Sequence, residues 1–239
     1  MTQVLAHRGS AKAQQENTLG AFGEARRLGA DGVELDVRVT LDGHLVVHHD
    51  AVTPDGAVIG QSLLSGLPEF VPELGEALDS CGDLLVNVEV KSDPFEPGEG
   101  SYEPTARLTA QLCAARQRSG AGGALVVSSF SLPALEVVAA EESGLDLALL
   151  VEPGSPYASR ALEVVSSNRW SGLHPFFQMV DQQLAARARE AGLSLRPWTV
   201  DRREDIVALA RLGVDAVITN DVEEALLALG RARKASRFA

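Results

Sequence analysis

The feature that most restricts what this chain can become is an alternation repeated eight times. Short apolar runs occur at 4–6, 32–37, 84–90, 125–127, 145–150, 170–173, 193–198 and 216–218. Each is bounded by glycine or polar residues, which is the pattern of a buried strand. A segment with helical spacing follows each run, at about 18–28, 72–81, 104–118, 132–142, 159–166, 181–191, 203–212 and 222–231. Strands that alternate with helices in this way build a parallel sheet. Eight units within 239 residues favour a closed (β/α)8 barrel over an open doubly wound sheet. No GxGxxG follows the first run, which removes the usual signature of dinucleotide binding. The expected organisation is one barrel domain over 1–239.

The second unit departs from the repeat. Asp42-Gly43 marks a turn, and 45–47 reads as a short strand pairing back on strand two. Residues 51–72 then carry Pro54, Pro68 and Pro72 with Gly56, Gly60 and Gly66, too many breakers for a long element. We expect a short insertion here, either a lid that influences substrate choice or a connector remote from the site.

Charge and cysteine usage exclude several classes. The net charge of −12 argues against a duplex nucleic-acid binder and against electrostatic attachment to anionic lipid. No segment approaches the roughly 20 apolar residues of a membrane span, so no membrane insertion is expected. No basic stretch leads into an apolar N-terminal run, so no signal peptide is read and a cytoplasmic location is the expectation. The basic tail at 231–237 reads as a solvated helix end or frayed terminus. Cys81 and Cys113 lack CxxC spacing and read as buried apolar residues rather than zinc or redox ligands.

The unusual polar residues stand at the C-terminal ends of the apolar runs: His7, Arg8, Glu34, Asp36, Glu89, Lys91, His174 and Trp198. In a barrel those ends converge on the face that carries active sites. Side chains two apart on a strand share a face, so Glu34 and Asp36 project together. Neighbouring carboxylates disfavour each other's ionisation, and a divalent cation relieves that cost. The pattern therefore predicts a metal site at Glu34, Asp36 and Glu89. His7 and His49 stand beside it as proton-transfer groups, since imidazole both takes and gives a proton near neutrality. His48, on the opposite face of the same strand end, is the alternative to His49.

These residues resemble the glycerophosphodiester phosphodiesterase family. The matching pieces are His7-Arg8-Gly9, Glu16-Asn17-Thr18, Glu34-x-Asp36, Asp42-Gly43 and His49-Asp50, then Val88-Glu89-Val90-Lys91, Trp198-Thr199-Val200, and Gly213-Val214-Asp215 followed by Thr219. They span almost the whole chain in the family's order. Two departures stand out. The 51–72 segment is shorter than in relatives and lacks their Leu-x-Arg-Thr pattern, and strand eight ends Thr219-Asn220-Asp221 where many relatives have Thr-Asp.

The resemblance implies metal-dependent hydrolysis of a small glycerophosphodiester to an alcohol and glycerol 3-phosphate. One divalent cation, Mg²⁺ or Ca²⁺, would be the cofactor, and His7 and His49 would be general acid and base in either order. The nucleophile would be water or the neighbouring glycerol hydroxyl. Arg8 and Lys91 are phosphate partners, although Lys91 has the alternative of only orienting the acids. Asn17 caps the first helix or does more, and Glu16 meets a substrate hydroxyl, the backbone or nothing. Phe130 and Trp198 form an apolar wall under the glycerol or part of the barrel-top core. His174 touches substrate or is satisfied by loop carbonyls. Two other readings remain: a lysophospholipase D type activity on the same site, and a catalytically silent phosphate-binding module. Oligomeric state is not legible.

Overall fold

The computed structural model describes residues 1–10, 12, 14–92, 102–142 and 144–231. The strands are β1 (Gln3–His7), β2 (Gly32–Val39), β3 (Leu45–Val47), β4 (Leu85–Val90), β5 (Leu125–Ser129), β6 (Asp146–Val151), β7 (Gly172–Pro175), β8 (Ser194–Leu195) and β9 (Ala216–Thr219). The helices are α1 (Leu19–Leu28), α2 (Leu74–Cys81), α3 (Tyr102–Ser119), α4 (Leu132–Glu141), α5 (Ala161–Ser167), α6 (Gln182–Glu190), α7 (Arg203–Leu212) and α8 (Val222–Ala228).

Eight strands lie side by side in the order β8-β7-β6-β5-β4-β2-β1-β9, and every neighbouring pair is parallel. The two ends of this order meet through the backbone. Asp215 donates to the Leu195 carbonyl at 2.9 Å, Ile218 to that of Pro197 at 2.9 Å, and Val200 to that of Ile218 at 2.9 Å. These bonds close a (β/α)8 barrel, as the alternation predicts. β3 stays outside it, antiparallel to β2.

Alternation along each strand divides the core in two. Val33, Leu35 and Val37 face outward into the large core under the helices, while Leu5, Ala216 and Ile218 point inward and plug the barrel with Leu85 and Trp198. Glu34 and Asp36 take the inward face by the same rule. Cys81 and Cys113 are fully buried, and burial pushes both thiols up to about 12. Among the described residues no helix is long and apolar enough to cross a membrane.

Four local details differ from the sequence expectation. α1 is capped by Thr18, whose hydroxyl accepts from the Ala21 amide, and not by Asn17. The regular part of β8 is two residues long, and α8 ends at Ala228 rather than near 231. β7 runs through Pro175, two residues beyond the expected end at 173, so His174 lies within the strand. Residues 51–72 form two single 3₁₀ turns, Ile59–Gln61 and Leu64–Gly66, over a satellite core of Val46, Ile59 and Val71. Of the expected loop after β4 and the basic tail, 93–101 and 232–239 lie outside the described residues.

Candidate active site

Register assembles the acids. β1 pairs with β2 so that His7 lies beside Glu34, and β2 pairs with β4 so that Asp36 lies beside Glu89. All three carboxylates are buried, and one oxygen from each lies within 4.8 Å of the others. Burial first, then the Asp36 and Glu89 carboxylates, holds the Glu34 carboxyl well above the usual carboxylate range. Burial likewise raises Glu89 despite the opposing Lys91 ammonium. Burial also opposes ionisation of Asp36, but Lys91, Arg8, His49 and the Asn17 amide outweigh it, and its carboxyl sits below the ordinary value.

The second layer explains that division. Lys91 donates to Glu89 Oε1 at 2.9 Å and lies 3.5 Å from Asp36 Oδ1. Arg8 Nε lies 3.3 Å from Asp36 Oδ2, and the Arg8 backbone N–H donates to Glu34 Oε2 at 3.1 Å. Asn17 Nδ2 donates to Asp36 Oδ2 at 2.8 Å. Glu34 Oε1 alone among these carboxylate oxygens is buried without a hydrogen-bond donor. An orphaned, buried carboxyl oxygen facing two further carboxylates fits a hard divalent cation, which takes oxygen ligands of this kind.

Backbone conformation serves the same cluster. Arg8 and Asn17 adopt φ of +56° and +57°, a left-handed region that side chains other than glycine and asparagine seldom occupy. Gly9 follows at φ +80°, where a Cβ would sit 2.7 Å from that of Ala21. The glycine of the His7-Arg8-Gly9 run is therefore required by the close approach of this turn to α1.

His7 and His49 line one cavity of about 590 Å³ together with Glu34 and Glu89, and Asp36 lies beneath them. His7 Nδ1 lies 2.7 Å from Asn220 Oδ1, and its Nε2 is 3.9 Å from Glu34 Oε2. The oxygen can only accept, so Nδ1 carries the proton and Nε2 turns toward the acids. Asn220 is itself fixed: its Nδ2 and its backbone N–H both donate to Asp201, each at 2.8 Å. Burial lowers the His7 pKa, offset in part by Asn220. His49 Nδ1 meets Asp50 Oδ1 at 2.7 Å, and the His49 carbonyl accepts from Arg38 Nε at 3.0 Å. His48 turns away, its Nδ1 bonded to the Asp50 carbonyl.

Arg8, Lys91, Phe130 and Trp198 also line this cavity. Phe130 and Trp198 meet edge to face, with ring centroids 5.3 Å apart, and Phe176 supports Trp198 from the other side at 5.7 Å. Two expected residues lie elsewhere. Glu16 accepts from Arg8 Nη1 at 2.9 Å and lines a smaller cleft behind His49. His174 is wholly buried below the rim, and neither ring nitrogen has a hydrogen-bond partner among the described residues. Burial, then the Arg196 charge, drives its pKa well below the ordinary value.

The sequence reading did not single out Asn220 as a partner of His7, nor Arg38, Asn87 and Glu152. Arg38 and Asn87 were detectable in principle. Each lies two residues from one of the clustered acids on the same inward face of its strand, where a polar residue has no solvent to explain it. Asn220 becomes a partner of His7 only through the pairing of β1 with β9.

The comparisons with known proteins agree with this geometry. The model of the Glycerophosphoryl diester phosphodiesterase family matches residues 7–224. A glycerophosphodiester phosphodiesterase of Caldanaerobacter subterraneus subsp. tengcongensis is 34% identical, with 93% of this chain and 95% of the relative covered. Among solved structures, a phosphodiesterase of Oleispira antarctica in complex with the product sn-glycerol-3-phosphate superposes with a TM-score of 0.83 at 25% identity. That match covers 96% of this chain and 97% of the other. The glycerophosphodiester phosphodiesterase of Thermotoga maritima gives 0.80 at 27% identity, covering 97% and 99%. The chain belongs to the glycerophosphodiester phosphodiesterase family, and its enzymatic class is that of a phosphodiesterase acting on glycerophosphodiesters.

Proposed function

We propose that the protein hydrolyses glycerophosphodiesters to an alcohol and glycerol 3-phosphate with one divalent cation, Mg²⁺ or Ca²⁺, held by Glu34, Asp36 and Glu89. The observation that carries this reading is the orphaned, buried Glu34 oxygen within a carboxylate triad that shares its cavity with two histidines. When bound, the cation would supply Lewis acidity toward a phosphate oxygen and neutralise charge that develops there.

The remaining work falls to side chains. Arg8 and Lys91 present positive charge to the phosphate; each is already held by an acid, so each is oriented before substrate arrives. His7 has the tautomer needed to accept or return a proton through Nε2, and His49 is oriented by Asp50 for the reciprocal transfer. One imidazole serves the nucleophile and the other the departing alkoxide, as in-line displacement requires. Phe130 and Trp198 form an apolar wall for the carbon skeleton of the glycerol. The 51–72 segment contributes Val52 and Pro54 to the cleft behind His49 and flanks the site there as a side loop.

The test is glycerol 3-phosphate release from glycerophosphocholine by the purified protein. We expect turnover that chelation abolishes, that Mg²⁺ or Ca²⁺ restores, and that Glu34→Gln removes. Full turnover by Glu34→Gln under chelation would overturn the metal assignment. Phosphate-ligand binding without turnover of any diester, metal present, would support the silent module instead.

A further inference from the structure

One acid in the cavity has no part in the reaction just described. Glu152 follows β6, and its side chain lines the same cavity beside Phe130, Ser131, Trp198 and Thr199. Leu150, two residues earlier, faces the cavity too, as strand alternation requires. In the circular strand order β6 lies four places from β1, so Glu152 stands across the barrel mouth from His7 and Arg8. Glu152 is exposed at the cavity mouth, and among the described residues its carboxylate takes no hydrogen bond or ion pair. Of the cations that line the cavity, Arg8, across the mouth, is engaged by Asp36 and Glu16, and Lys91, two strands from β6, by Asp36 and Glu89.

This placement restricts what can stand against Glu152. A phosphate oxygen there would be repelled, so the phosphate belongs beside the cations and away from Glu152. A group that presents O–H donors is favoured, and an apolar group is penalised because it strips water from a carboxylate and returns nothing. The adjoining aromatic wall receives C–H surface. A deacylated glycerol matches both: its carbon skeleton lies on Phe130 and Trp198, and its free hydroxyls point to Glu152. Esterification of those hydroxyls removes the donor and drives a hydrocarbon chain against the acid.

Resting on the functional reading above, we propose that Glu152 is a specificity-determining residue that accepts hydrogen bonds from the free hydroxyls of the glycerol moiety and thereby favours deacylated over acylated glycerols. Because Glu152 is exposed, an analogue that lacks the hydroxyl forfeits the hydrogen bond while the carboxylate keeps part of its water, so the preference rests on the lost bond.

The experiment compares wild type, Glu152→Gln and Glu152→Leu in the metal-loaded full chain. Substrates are glycerophosphocholine, glycerophosphoglycerol and a short-chain lysophosphatidylcholine below its micellar concentration. Wild type should prefer both deacylated diesters over the lysolipid. Glu152→Leu should lower kcat/KM for both deacylated diesters by about tenfold or more, mainly through KM, the scale of a lost hydrogen bond to a charged group. It should also narrow the preference over the lysolipid, with Glu152→Gln in between because its amide still accepts. An unchanged preference in an active Glu152→Leu variant overturns the proposal. So does a loss confined to the choline substrate, which would place the acid against a cationic head group. A wild type inert toward every diester defeats the functional reading and this one together, and is thereby distinguished from a failure of Glu152 alone.

Discussion

Two histidines sit on barrel strands and face the interior, and they have opposite fates. His7, at the end of β1, is anchored by Asn220 through one nitrogen and presents the other to Glu34. His174, in β7, is sealed inside the barrel beside the Arg196 charge, and neither of its nitrogens has a partner among the described residues. The difference is one of height along the strand. β7 continues through Pro175, the Trp198 indole N–H donates to the His174 carbonyl at 2.8 Å, and His174 is left fully buried. A strand end read two residues too early turns an interior histidine into an apparent rim residue. Chemistry in this fold therefore depends on whether a polar group reaches the mouth of the barrel, and side-chain type alone does not decide it.

The contrast can be broken by substitution. The largest effect is expected on the acidic side of the barrel. Glu34→Gln should lower kcat/KM by well over about a hundredfold, since losing even an outer partner of a metal ligand reaches that scale. The same change should raise the thermal midpoint of the metal-free protein, because it removes a carboxylate that burial and two neighbouring acids disfavour. Loss of activity with gain of apo stability, read by kinetics and thermal unfolding, separates this residue from one that merely holds the fold.

His7→Ala should come next, with a loss of about a hundredfold or more, the usual contribution of general acid–base catalysis. His174→Leu supplies the counterpart. It should leave kcat/KM within about threefold and raise unfolding free energy by about 1 kcal/mol, since it removes buried polar atoms that no group among the described residues satisfies. Equal losses of activity from the two substitutions would dissolve the distinction between them.

A smaller effect is expected from pH. Glu34 and Glu89 are both raised by burial, so the folded metal-free protein retains protons there that the unfolded chain has released. Stability from this source is fully present below the unfolded carboxyl value and is lost as pH rises through the raised folded values. Asp36, which is lowered, acts in the opposite direction and only partly offsets it. A divalent cation replaces the missing protons, so the rise in thermal midpoint on adding metal should be larger at about pH 8 than at about pH 5. A metal increment independent of pH would contradict the assignment of these acids as ligands.

Much of this was legible in the sequence, for identifiable reasons. Alternating short apolar runs and helical segments give the barrel because each element must bury its apolar face against the other type. Glu34 and Asp36 stand out because two acids two residues apart on one face of a strand need a shared counter-charge. What stayed hidden depends on distant pairing. Asn17 resembles a helix cap until β2 brings Asp36 beneath it. Glu16 offers nothing local to show that it holds Arg8. Asn220 gains its role only when β9 is laid beside β1. The boundary of β7 failed because Gly172 to Pro175 has no local stop signal at Leu173.

The most direct test of the whole account is a crystal structure grown with a divalent cation and glycerol 3-phosphate. The account predicts one ion bound by Glu34, Asp36 and Glu89, with the phosphate between His7 and His49 and within reach of Arg8 and Lys91. An ion bound elsewhere, or a phosphate that lies away from either histidine, would contradict it.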